Sequence, residues 1–307
     1  MKYPPFARLD IPGDCYVDTS SFIEICRCRF VFGSASLVAV AQGKNPDTLR
    51  VALLPDENAT TLIQNAQPLK EYLQKTLGKD IELIVTTDYS SMIEAMRFGR
   101  IEVAYFGPFS YVLAKSKAPA IEPFAVGVER GSPTYQSVMI ANAEGPVKRL
   151  EDIRGQSFGF GDQASTSSHL SPRAHILKKT GLDGEKDYRP VHLGAHDAVA
   201  RAVQAGQVPA GGLSKPILDV LVKKGTIDPT KIIELDLSAP IPNYPMVMQD
   251  NLAPALKEQI RSAFLNMKDP VVLKSFRVEG FAPTDDAAYD VLRETAAVLK
   301  LDIGKMK

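Results

Sequence analysis

Apolar positions along the chain follow two rhythms. TLRVALLP (Thr48–Pro55) is a near-continuous apolar run that breaks into the polar DENAT, as a buried strand does on entering a loop. TLIQNAQPLKEYLQKTLGK then repeats its apolar residues at helical spacing, with Gly78 near the end as a stop signal. IELIVTTDYS predicts a second strand, SMIEAMRFGR a short amphipathic helix closed by Gly99, and IEVAYFG a third strand. Gly107-Pro108 turns that strand into the helix FSYVLAKSKA. Strands and helices in strict alternation predict a parallel sheet with crossover helices.

A second series starts after YQSVMIAN. EDIRGQSFGFGD leads into a polar run and a helix, and YRPVHLGAHDAVARAVQAGQVPAGGLS supplies strand, helix and strand. IIELDLSAPIPNYPMVMQ reads as extended, and NLAPALKEQIRSAFLNM opens a helical tail. Two α/β series of similar size imply two lobes, with Tyr135–Ala141 and Pro240–Met248 as the crossovers between them. Ligands of open α/β sheets bind beyond the carboxyl ends of the strands. The loops to inspect are therefore LLPDENAT, TTDYSS, AYFGPFSY, GDQASTSSH, LGAHD and GGLSK.

Bulk properties narrow the function only by exclusion. Lys+Arg and Asp+Glu both total 36 of 307 residues, so no basic excess points to nucleic acid or an anionic membrane. The first forty residues differ from the rest. Arg27 and Arg29 precede the apolar run Phe30 to Val40, which ends in Ala39-Val40-Ala41. Charge, a short apolar segment and an A-x-A site make the pattern of an export signal, too short to span a bilayer. Cys15, Cys26 and Cys28 all precede that site, so the chain expected after cleavage, from Gln42, has no cysteine. Cys26-x-Cys28 lacks the second half of a zinc site, and no cofactor or metal is expected.

The polar run FGFGDQASTSSHLSPRAHILKKTGL carries the candidate chemistry. Four consecutive hydroxyls, Ser165 to Ser168, precede a helix expected to start at Ser167 or Ser168. Pro172 falls in its first turns, Lys178 and Lys179 in its last, and Gly181 at its C-cap. One hydroxyl suffices for an N-cap. The others, set among free helix-end N–H groups, suit an anion such as a tetrahedral oxyanion. The helix dipole alone contributes about 0.3–2 kcal/mol, whereas micromolar affinity needs roughly 8. Charge-assisted hydrogen bonds of about 1.5–3 kcal/mol each would have to supply the rest.

At this point the sequence resembles a known family. TDYSSMIEAMRFGRIEVAYFGPFSYVLA, GSPTYQSVMI, LEDIRGQSFGFGDQASTSSHLSPR and LGAHDAVARAVQAGQV stand in the order and spacing of the phosphate/phosphite/phosphonate-binding proteins of ABC transporters, from Leu49 to about Thr295. The resemblance implies an α/β type II periplasmic-binding fold: two doubly wound lobes joined by a hinge, with the ligand cleft between them. Residues 46–137 with 245–307 would form one lobe and 138–244 the other, after a presequence at 1–41. The family's anion-binding Ser and Thr fall on Ser165 and Thr166, completed by Ser167, and its ligand histidine on His196. A tyrosine of the opposite lobe falls on Tyr89 and a hinge-side tyrosine on Tyr135. His196 is expected to be able to become cationic beside a bound anion. Tyr105 lies in the AYFGPFSY loop, and Phe106 with Tyr244 would wall the pocket.

Departures from the family sharpen the ligand. Members that take aminoalkylphosphonates resemble one another in placing acidic residues near GGLSK and within IPNYP. Here those places hold Gly211, Gly212, Leu213, Ser214 and Tyr244. An ammonium would be unpaired there, so the expected ligand lacks one: phosphite first, then methylphosphonate or phosphate. The usual glycine after S-T-S is Ser168, an added hydroxyl. The implied partners are the ligand and a membrane permease, for a periplasmic monomer that performs no catalysis.

Two other classes remain. A hydrolase would use Ser165 or Ser168 with His196 and Asp197, but the adjacent Asp197 is awkward for orienting that ring and no G-x-S-x-G elbow is present. A ligand-sensing receptor domain would use the same fold. His192 and His196 have the spacing of a zinc pair only on a helix, which Gly194 argues against.

Overall fold

The computed structural model describes residues 43–306, so the segment expected to be a presequence and the three cysteines lie outside the described residues. Its first series contains β1 (Thr48–Leu53), α1 (Ala59–Asn65), α2 (Gln67–Leu77), β2 (Asp80–Val85), α3 (Tyr89–Arg97), β3 (Val103–Tyr105), α4 (Pro108–Lys117) and β4 (Ile121–Val128). The second contains β5 (Thr134–Tyr135), β6 (Ser137–Asn142), β7 (Ser157–Phe160), α5 (Ser171–Thr180), β8 (Arg189–His192), α6 (His196–Gln204), β9 (Ala210–Ser214), α7 (Lys215–Lys223) and β10 (Ile232–Leu237). The chain then adds β11 (Ile241–Pro242), β12 (Pro245–Gln249), α8 (Pro254–Leu265), α9 (Pro270–Ser275), β13 (Gly280–Ala282) and α10 (Asp290–Val298).

These strands form a six-stranded sheet in the order β13-β4-β12-β3-β1-β2 and a five-stranded sheet in the order β10-β6-β9-β7-β8. β1 pairs in parallel with β2 and β3, and β7 with β8 and β9, as alternating strands and helices require. Neither sheet is purely parallel. β12, returning from the second series, inserts antiparallel between β3 and β4, and β6 runs antiparallel to β9. The two passes between the sheets pair with each other, with Ile241 opposite Tyr135 and Pro242 opposite Thr134.

Two boundaries differ from the sequence expectation. The segment read as one helix from Thr61 breaks at Ala66, because Pro68 cannot donate an N–H and sits in the first turn of α2 instead. The helix expected from Ser167 or Ser168 starts earlier. Ser165 is its N-cap, Thr166–Leu170 form one turn of π-helix, and α5 follows. The Leu170 N–H reaches back five residues to the Ser165 carbonyl, which widens that turn. Gly181 closes the helix at φ 73°, as its position predicts.

Around the first sheet lies the larger core, built from residues such as Leu49, Ile93, Phe109, Phe124 and Phe264. α4 is buried from Pro108 through Ala114, so its N-terminus is fixed deep in the molecule. Two smaller clusters cover the faces of the second sheet.

Candidate functional site

Three hydroxyls and one histidine meet where strands of both sheets end. At the end of β7, Ser165 Oγ accepts the Ser168 N–H at 3.1 Å and lies 3.5 Å from His196 Nε2. Thr166 Oγ1 accepts the Phe109 N–H, from the first turn of α4, at 2.7 Å. Ser167 Oγ accepts the Tyr135 hydroxyl at 3.1 Å. An amide N–H can only donate, so Ser165 and Thr166 receive these bonds through their oxygens. Their own hydrogens are then the donors each has left to offer an anion.

Helix starts converge on the same place. α4 points its Phe109 N–H at Thr166, and the His196 N–H at the start of α6 donates to the Asp56 carbonyl at 3.0 Å. Tyr89, the first residue of α3, directs its N–H toward the Asp162 carboxylate at 3.4 Å. Helix N-termini carry partial positive charge, which favours an anion placed beside them. Thr166, Ser167 and Ser168 are each at most 2% exposed, which strengthens every such interaction.

His196 is fully buried. Its Nδ1 accepts the Ser214 N–H at 3.0 Å, so the ring proton sits on Nε2, facing Ser165. Burial, aided by the Arg277 charge, pushes its pKa down to about 3. The cationic histidine expected from the sequence is therefore disfavoured, because a second ring proton would displace the Ser214 amide. His196 is a neutral donor.

The tyrosines divide by position. Burial holds Tyr89 and Tyr135 well above the usual phenol range, so both stay protonated donors, and Tyr89 adjoins Ser165. Tyr244 packs edge-on against Tyr135 at 5.4 Å and tilts against Tyr105 at 5.2 Å. Tyr105 in turn meets Phe276 edge-on at 4.9 Å. These rings form a wall leading away from the hydroxyls. Phe106 is fully buried and donates its N–H to Pro245, and no described contact brings its ring to the hydroxyl turn. The Ser168 hydroxyl also points elsewhere, to the Gly212 carbonyl. Space for it exists because Gly161 has no side chain: a Cβ there would lie 2.7 Å from Ser168 Oγ. Gly212 is equally constrained, since its Cβ would meet Pro172 at 2.6 Å.

Asp56 and Arg277 escaped the sequence reading. Asp56 is 2% exposed just past the end of β1, and Arg277 Nη2 binds its carboxylate at 3.0 Å. Nη1 of the same guanidinium binds Glu57 at 2.7 Å. The strand-end rule had marked the LLPDENAT loop, which contains Asp56, but nothing local marks Arg277. A groove of about 500 Å³ lies beside Thr134, Pro242 and Tyr289.

With this geometry in hand, known proteins give a consistent comparison. Residues 51–289 match the family described as the ABC transporter, phosphonate, periplasmic substrate-binding protein. The phosphate-import protein PhnD of Mycolicibacterium smegmatis is 30% identical, over 82% of this chain and 83% of its own. The phosphonates-binding periplasmic protein of Escherichia coli is also 30% identical, over 87% of this chain and 81% of its own. A Prochlorococcus marinus protein solved in complex with methylphosphonate superposes with a TM-score of 0.76 at 22% identity, covering 83% of this chain and 99% of its own. The fold is that of the type II periplasmic binding proteins.

Proposed function

The chain belongs to the family of periplasmic substrate-binding proteins of ABC phosphonate transporters, and from that premise we propose that it captures a small phosphorus oxyanion between its two sheets and hands it to a membrane permease. One observation carries the reading: Ser165, Thr166 and Ser167 present their hydroxyls together at a helix start, opposite His196 Nε2. A tetrahedral anion there meets donors from both sheets, so binding and closure are the same event. The residues proposed to hold it are Ser165, Thr166, Ser167, His196, Tyr89 and Tyr135, with Tyr105 and Tyr244 as the far wall. Ser168 supports the turn from behind through Gly212.

Phosphite is the proposed first ligand, with methylphosphonate and phosphate next. The relatives are named for phosphate and phosphonates, and one was solved with methylphosphonate. An aminoalkylphosphonate would need a free carboxylate for its ammonium. Gly212 has no room for one, and Asp56 is already held by Arg277.

Binding without catalysis is the better chemistry for this site. A serine hydrolase needs a histidine able to take the serine proton, oriented by a carboxylate. His196 carries its proton on the nitrogen that faces Ser165, and a backbone amide orients it. Asp197 pairs with Arg201 instead.

Calorimetric titration of residues 42–307 with phosphite, methylphosphonate, phosphate and 2-aminoethylphosphonate tests the proposal. Tight binding of one of the first three, with weak aminoethylphosphonate binding, supports it. No heat with any of the four would refute it.

A further inference from the structure

By spacing alone His192 pairs with His196, but in the fold its neighbour is His169, with ring centroids 5.2 Å apart and an interplanar angle of 66°. Both rings are anchored through Nδ1. His169 Nδ1 lies 2.7 Å from the Gln163 carbonyl oxygen, and His192 Nδ1 lies 3.0 Å from that of Gly161. A carbonyl only accepts, so each Nδ1 carries the hydrogen and each Nε2 of a neutral ring is left with a lone pair. Burial pushes the His169 pKa down to about 4, so its lone pair is free at pH 7. Phe160 holds both rings, stacked on His192 at 5.9 Å and edge-on to His169 at 5.4 Å.

Gly161 and Gln163 flank Asp162 in one short loop. Rings anchored on opposite sides of that loop would lie farther apart than 5.2 Å. They therefore stand side by side, with both Nε2 atoms turned away from the loop. His192 is exposed and His169 retains 5% exposure, so the pair can be reached from solvent.

Histidines that bind metals are held in this way: one nitrogen donates to a carbonyl, which fixes the tautomer, and the other faces the ion. An ion bonded to two imidazoles at about 2.0–2.1 Å stands roughly 3.2 Å from each ring centre. The two centres are then about 4.5–5.2 Å apart for bond angles between square-planar and tetrahedral, and the observed separation fits. Asp162 supplies no third ligand, because its carboxylate already accepts the Ala164 and Tyr89 N–H groups. Among the described residues no three His, Cys, Asp or Glu side chains gather for an ion, so water would complete the coordination. Of the divalent first-row ions, Cu²⁺ binds a given nitrogen site most tightly.

We propose that His169 and His192 form a two-histidine site for a late first-row divalent ion, Cu²⁺ ahead of Ni²⁺ and Zn²⁺. The site stands whether or not the cleft takes an anion, but it touches the same turn. His169 belongs to the π-turn that carries Thr166 and Ser167, and the Gly161 N–H donates to the Ser168 carbonyl at 2.9 Å. An ion shared with His192 ties that turn to β8.

The test is titration of the untagged protein with Cu²⁺ at pH 7.5, read by electron paramagnetic resonance and by thermal unfolding. Wild type should bind one equivalent with a Kd of about 10 µM or below, show two coordinated imidazole nitrogens, and unfold at a higher temperature with the ion. His169→Gln and His192→Gln should each weaken binding by about tenfold or more and abolish the thermal shift. His175→Gln should change neither, since His175 pairs with Asp236 elsewhere. If His169→Gln does not fold, the exposed His192→Gln decides. No binding below about 1 mM, an affinity unchanged in His192→Gln, or a loss in His175→Gln instead would overturn the proposal.

Discussion

The Ser214 N–H donates to His196 Nδ1 at 3.0 Å, and that single bond sets the chemistry of the imidazole. Strand β9 supplies the amide and helix α6 the ring, so a contact internal to the second sheet decides that His196 faces Ser165 with an N–H. The ring is positioned to donate and poorly placed to accept a proton.

The tautomer should persist in acid. Imidazole nitrogen NMR is expected to report Nε2–H and a bare Nδ1 at pH 7 and still at pH 5, since burial holds the pKa near 3. A cationic ring at pH 6 would contradict this.

Thr166 serves both sheets at once, accepting from Phe109 while offering its hydrogen to the ligand. Thr166→Val keeps the shape and removes both bonds. Methylphosphonate affinity should drop by roughly 10- to 100-fold, the equivalent of about 1.5–3 kcal/mol for a bond to a charged acceptor. Calorimetry of the variant checks this, and affinity within twofold of wild type would argue against a ligand at Thr166.

Two buried histidines make the unliganded protein acid-sensitive. His169, whose Nδ1 adjoins the Gln163 carbonyl at 2.7 Å, is pushed down to about 4 by burial, and His196 to about 3. Both folded values lie below the unfolded one of about 6.5. Their contribution is therefore complete above pH 6.5 and is lost as pH falls toward 4 and 3. Asp56 works in the opposite sense, because its folded pKa is raised: its ionised form weakens the fold as pH rises from about 4 through 6. Two groups outweigh one, so urea unfolding at pH 4.5 should give a stability lower than at pH 7 by on the order of 2 kcal/mol. An unchanged or higher stability at pH 4.5 would contradict these assignments.

Removing Arg277 strands two carboxylates that are at most a tenth exposed. Arg277→Ala should lower unfolding free energy by about 3–5 kcal/mol, the cost of breaking a buried pair from one side. Thermal or urea denaturation reads this directly, and a loss under about 1 kcal/mol would mean that the pair is well solvated.

Much of this was legible in the chain because it depends on near neighbours. Alternating apolar runs and helical spacing mark β1 to α4 and β7 to β9, and the Gly181 stop and the hydroxyl run are local signals. The insertion of β12 between β3 and β4 is not, since strand order depends on where a returning segment pairs. The split at Ala66 follows from Pro68, but apolar spacing continues across it and hides the break. Ser168 illustrates a further limit: four adjacent hydroxyls look alike in sequence, and only Gly161 and Gly212 show which one turns inward. Asp56 and Arg277 are 221 positions apart and meet through tertiary folding alone. Spacing could not have joined them.

A crystal structure of the protein with methylphosphonate tests the central claim most directly. The account predicts phosphorus oxygens within hydrogen-bond distance of the Ser165, Thr166 and Ser167 hydroxyls and of His196 Nε2. A ligand seated instead in the groove beside Thr134, Pro242 and Tyr289, with the hydroxyl turn untouched, would contradict it.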